Sequence, residues 1–221
     1  MKRSDLLFVA AVTSLFIPFF ISSHLYNFYV DFNAAHGFIT SFIKFAILAT
    51  AGEMLGLRIR TGNYFSAGFG LLPRAFVWGI LGLSIKAAFI IFSTGVPDVM
   101  MYLDVDNSSK LLMAFSISFF MNLFFAPVMM TLHKVTDAHI LLTGGTMAGL
   151  FRKMDVATIL GNINWKMHWG FVLRKTIPLF WIPAHTITFL LPQSYQILFA
   201  ALLGVVLGVI LAFSARSKSD L

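Results

Sequence analysis

Six apolar stretches alternate with short polar ones along the chain. They run Leu6–Ser22, Gly37–Leu57, Phe69–Ser93, Leu111–Leu132, Gly170–Leu191 and Tyr195–Phe213. Most approach the ~20 residues that a helix needs to cross ~30 Å of hydrocarbon, and Leu6–Ser22 is short for that task. The last two meet at Pro192-Gln193-Ser194, and the first of that pair keeps Pro178 and Pro183 inside it. An internal proline removes a backbone hydrogen bond and clashes with the preceding turn, which a soluble helix does not tolerate. A membrane helix accepts it where neighbouring helices satisfy the freed carbonyls. Trp165, Trp169, Arg174 and Lys175 lie at the start of this hairpin, where aromatic and basic side chains anchor an apolar rod at the lipid boundary. Pro127, Pro178 and Pro183 are the expected kinks. The pattern predicts an all-α, polytopic membrane helix bundle.

Composition agrees. The chain is 58% hydrophobic with 11% charged residues and a mean hydropathy of +0.85, against about 25% charged in ordinary globular chains. That leaves one integral membrane domain over residues 1–221 and no separate soluble domain. The net charge of +7 would suggest nucleic acid in a soluble protein; here it is explained by sidedness. With the N-terminus in the cytoplasm, 13 of the 16 Lys and Arg residues fall on that side, from Lys2 and Arg3 through Arg58, Arg74 and Lys134 to Lys218. Lys110 falls on the other side beside Asp31, Asp98, Asp104 and Asp106, of which the last three form one acidic loop expected to be solvated. This bias predicts six helices with both termini cytoplasmic. The basic and then apolar start also fits a signal peptide, but no A-x-A-like site follows, so a retained helix within residues 1–35 is expected. Residues 138–169 are too long for a bare loop and too broken for a further crossing, which fits amphipathic helices lying on the cytoplasmic face. Zero cysteines exclude disulfides and thiolate chemistry. No Arg- and Ser-rich leader is evident, which points to a bacterial cytoplasmic membrane ahead of an organelle.

Polar residues inside apolar helices are costly and mark candidate sites. Counting from the turn at Gly62-Asn63 places Glu53 and Arg74 at similar depth in the inner half, able to pair. Lys44 and Lys86 fall in the outer half, Asn122 midway along the fourth stretch, and His185 past the middle of the fifth. A polar seam lined by Lys44, Lys86, Asn122 and His185 would favour small anions, with Glu53–Arg74 at its inner mouth. The competing reading has the lysines snorkelling to an interface, Glu53–Arg74 as a structural ion pair and His185 as a packed core residue.

Gly52-x-x-x-Gly56 and Gly204-x-x-x-Gly208 let helices approach closely, within one chain or in a homo-oligomer. Thr143–Gly149 reads TGGTMAG and lacks the Lys-Ser/Thr ending of a phosphate-cradling loop. H-E-x-x-H and G-x-S-x-G are also missing, so neither an enzyme nor a cofactor or metal is expected.

The segment Trp181-Ile-Pro183-Ala-His185-Thr-Ile-Thr188-Phe-Leu-Leu-Pro192 resembles the signature of the Mpv-seventeen / twenty-two-kilodalton peroxisomal membrane protein family. His185 stands where that family has Gln, and Thr188 where it has Asn. Gly52-Glu53, Pro73, Trp78, Phe125-Ala126-Pro127 and Asn164-Trp165 match further family positions in order, over residues 36–213. Departures fall at Asn122, within Met121–Phe124 where the family has Asp-Gln, and at Gln196 where it has Arg. The resemblance implies a membrane protein that passes small solutes in a channel-like manner. The expectation from the sequence is therefore a channel or transporter-like protein whose partners are the lipid bilayer and small solutes. The alternative is a non-conducting assembly protein that holds partners on its glycine faces.

Overall fold

The computed structural model describes residues 2–105 and 109–217, with side chains through Ile210; Asp106 and Lys218 of the charge pattern lie outside the described residues. Every regular element among them is helical. In chain order these are α1 (Arg3–Ser14), α2 (Ile17–Ile21), α3 (Ser23–Ala35), α4 (Gly37–Thr61), α5 (Leu71–Tyr102), α6 (Lys110–Phe124), α7 (Ala126–Leu142), α8 (Met147–Leu150), α9 (Val156–Asn162) and α10 (Trp165–Met167). A π-helix (His168–Trp181) follows, then α11 (Ile182–Leu190) and α12 (Gln193–Ser217).

Among the described residues, α4, α5 and α12 are each long and apolar enough to cross a membrane. The pair α6 and α7 makes a fourth if counted as one span, bent by 45° at Phe125. Pro127 in the first turn of α7 causes that bend, since it cannot donate the hydrogen bond that would continue α6. The stretch Leu6–Ser22 is divided between α1 and α2. The 12 residues of α1 extend about 18 Å, less than the hydrocarbon thickness. Its start is tied to the end of α4 by Asp5, whose Oδ1 accepts from Arg58 Nε at 2.7 Å and from Tyr64 at 3.2 Å. The hydrogen bond from Arg58 holds the Asp5 carboxyl well below the usual carboxylate range. The stretch Gly170–Leu191 is helical to Leu190 but changes type at Trp181, with Pro178 inside the π-helix and Pro183 in the first turn of α11. α5 also carries an internal Pro97.

The tightest helix pairings join α4 to both α5 and α12, and α6 to α11. The core forms where α4, α5, α6 and α12 meet, around Phe45, Ala49, Phe89, Met121 and Ala201. Between helices in lipid such side chains hold the bundle by close packing rather than by removal from water. Outward faces remain apolar, as Ile43, Ile47, Ile91, Phe115 and Leu202 show, the surface a lipid-facing bundle presents.

α4 and α12 approach through glycine. A Cβ on Gly52 would sit 3.0 Å from Val205 Cα, and Gly208 lies against the Gly52 carbonyl. Gly56 in turn faces the Gly208 carbonyl, whereas Gly204 faces open space. The TGGTMAG stretch has a similar role in a loop. Gly145 (φ +69) packs against Gly68–Gly70, where a Cβ would meet the Gly68 carbonyl at 2.7 Å. Between Ala138 and Trp169, α8, α9 and α10 are short helices.

These contacts fix an expected pair of outcomes. Gly52→Val should lower stability by about 1–3 kcal/mol through overpacking against Val205. Gly204→Ala should leave stability unchanged or raise it by a few tenths. Thermal unfolding of the detergent-purified variants by circular dichroism measures both.

Candidate functional site

One face of α4 repeats Phe45, Ala49, Gly52, Glu53, Gly56 and Arg60, at the three- and four-residue spacing that keeps side chains on one side of a helix. Along the bent α6–α7 pair, Phe125, Met129, His133 and Asp137 recur every fourth residue. Together with Trp78 of α5, the π-helix and α12, these faces enclose a cavity of about 610 Å³. Its wall is mostly apolar. No residue of α4 before Phe45 and none of α5 after Phe89 borders it, so it occupies one half of the bundle's depth. Arg60, Lys134 and Asn164 lie toward its opposite end.

Four ionisable side chains from three helices meet on this wall. The Arg74 guanidinium contacts both Glu53 and Asp137, and its Nε donates to the Phe69 carbonyl at 2.6 Å. Trp78 Nε1 donates to Glu53 Oε1 at 2.7 Å, and His133 Nε2 lies 3.2 Å from that oxygen. The Trp78 and His133 rings sit 4.3 Å apart. Two carboxylates against one guanidinium leave one negative charge over when His133 is neutral. The Glu53–Arg74 pair expected from depth counting therefore forms, but as part of a larger group.

A second polar station closes the deep end. Asn122 is fully buried; its Nδ2 donates to the Ser118 carbonyl at 2.8 Å and its amide meets His185 Nδ1. His185 stacks on Trp181 at 5.1 Å and meets the edge of Phe89 at 5.8 Å. Ser118 Oγ donates to the Ile182 carbonyl at 2.7 Å, supporting the π-to-α junction. The buried Trp181 Nε1 has no partner among the described residues.

Lys44 and Lys86 do not border the cavity. Lys44 Nζ donates to Asn33 Oδ1 at 2.5 Å and lies 5.2 Å from the centre of the Tyr29 ring. The Lys86 stem packs beside Gly37. Both face the α3–α4 corner. The reason is rotation: one step along a helix turns the side chain by about 100°, so Phe45 faces the cavity and Lys44 beside it does not. The positive potential expected from those lysines is replaced by that of Arg60 and Lys134 at the other end. Of the glycines, Gly52, Gly56, Gly204 and Gly208 all border the cavity.

His133 and Asp137 are site residues beyond the fourth apolar stretch, which ends at Leu132, one residue short of His133. Their signal is the four-residue repeat from Phe125, which continues unbroken through His133 and Asp137. Trp78 and Trp181 lie inside apolar stretches and enter the sequence reading only through the family resemblance. No family model, curated protein or solved structure matches this chain.

Arg74 is the hub of this group, so removing it strands two carboxylates. Arg74→Met should destabilise the fold by about 3 kcal/mol, the order expected when one partner of a buried ion pair is deleted. The double variant Arg74→Met, Asp137→Asn should recover part of that loss, read from thermal unfolding in detergent.

Proposed function

We propose that this chain is a six-helix solute-permeation protein, a transporter rather than an open channel, for small amphipathic anions. The observation that carries this reading is the cavity itself. It is large enough for a metabolite, mostly apolar, charged on one wall and flanked by Arg60 and Lys134 at one end. Ligand sites of several hundred Å³ with a few convergent polar groups have this character. The basic-residue bias supports six crossings with both termini on one side. In that arrangement α1–α2 adds a helix, and the π-helix with α11 forms a further crossing. The ordered likeness to the Mpv-seventeen / twenty-two-kilodalton peroxisomal membrane protein family supports passage of small solutes.

Phe45, Phe89 and His185 close the deep end, so passage requires those side chains to part. The 45° bend at Phe125 and the π-to-α junction at Trp181 are where helices of this kind yield. The same closed floor also fits the second reading, an assembly protein with no conduction.

Release of carboxyfluorescein from proteoliposomes, with a fluorescent dextran as leak control, distinguishes the two. The parent should release the anion and retain the dextran. Arg60→Ala with Lys134→Ala should slow release several-fold, and Lys44→Met with Lys86→Met should not. Anion retention by the parent, equal to that of empty vesicles, would favour the assembly role.

A further inference from the structure

The group around Arg74 has the composition of a metal site with an organic cation seated in it. Glu53, His133 and Asp137 each present a donor atom, and the three atoms lie within 4.8 Å of one another. Ligand atoms on one tetrahedral Zn2+ ion stand about 3.4 Å apart, given metal–ligand distances of about 2.1 Å. Closing the difference takes adjustment of the three side chains and withdrawal of the Arg74 guanidinium from the carboxylates. His133 and Asp137 are one helical turn apart on α7 and so share a face, and Glu53 comes from the facing α4. One ligand pair on a single helix and a third from a neighbour is how helix bundles build metal sites. Trp78 Nε1 already orients the Glu53 carboxylate, as outer hydrogen bonds do for metal ligands. The donors border a cavity, which supplies an entry path and room for water to complete the coordination.

We infer that Glu53, His133 and Asp137 form a site for a divalent transition-metal ion of the Zn2+ or Mn2+ class, with Arg74 as a tethered competitor for it. The guanidinium bridges the same two carboxylates that the ion would take. Its Nε also donates to the Phe69 carbonyl, a contact that does not depend on the carboxylates. With His133 neutral, as a metal ligand must be, the group carries one surplus negative charge that favours a cation, and Lys134 near the mouth opposes it. The inference rests on this geometry and not on the transport reading.

Competition gives the test its sign. Chelator-treated, detergent-purified full-length protein is titrated with Zn2+, and separately with Mn2+, by calorimetry. The parent should bind one equivalent of at least one of these ions. His133→Gln and Asp137→Asn should weaken binding by more than about tenfold, and Trp78→Phe by about tenfold. Arg74→Gln should tighten it. If Arg74→Gln fails to fold by circular dichroism, Arg74→Lys, which keeps the charge but loses the bidentate fork, replaces it with the same expected direction. Saturable binding unchanged in His133→Gln would mean the ion sits on other histidines and would overturn the proposal. So would the absence of a site in both the parent and the Arg74 variant.

Discussion

One cation among two carboxylates organises one half of this bundle. Arg74 reaches from α5 to Glu53 on α4 and to Asp137 on α7, and so ties three helices at one point. In hydrocarbon no water compensates an unpaired charge, so such a group must be closed or must open onto a wet cavity. Here it does both: its members pair with one another, and they border the cavity. The apolar wall around them lowers the local dielectric and strengthens each of these contacts.

The glycines set how close the helices come to that point. Gly52 lies one residue before Glu53, and its missing side chain allows Val205 of α12 to reach the α4 backbone. The same stretch of α4 therefore serves packing on one side and charge on the other. Gly145 against Gly68–Gly70 does the corresponding work in the loops, next to Phe69, whose carbonyl holds Arg74. The TGGTMAG stretch thus bears on the site through backbone geometry.

Helical class, the apolar spans α4, α5 and α12, and the Glu53–Arg74 pairing were legible in the sequence, because period and depth follow from counting along a helix. Azimuth was not. Lys44 and Lys86 lie toward the same end of α4 and α5, as counting expects, but which way a side chain faces depends on how neighbouring helices rotate against one another, and no single segment encodes that. His133 and Asp137 escaped notice because α7 runs on past the apolar stretch, so a hydropathy boundary fell inside a structural element. Leu6–Ser22 reads as one apolar run, yet it bends between Ser14 and Ile17 just before Pro18.

The pairing of helices divides the bundle unevenly. α4, α5 and α12 interlock as one body, two of them in backbone contact, while α6 and α11 interlock as another. The walls of the cavity are drawn from both. Glu53 and Arg74 belong to the first body, whereas Asp137 rides on α7 beyond the 45° bend. A rocking of one body on the other would leave the Glu53–Arg74 bond intact and strain the Arg74–Asp137 bond. That second bond shares the tie between the first body and α7 with the Glu53–His133 and Trp78–His133 contacts.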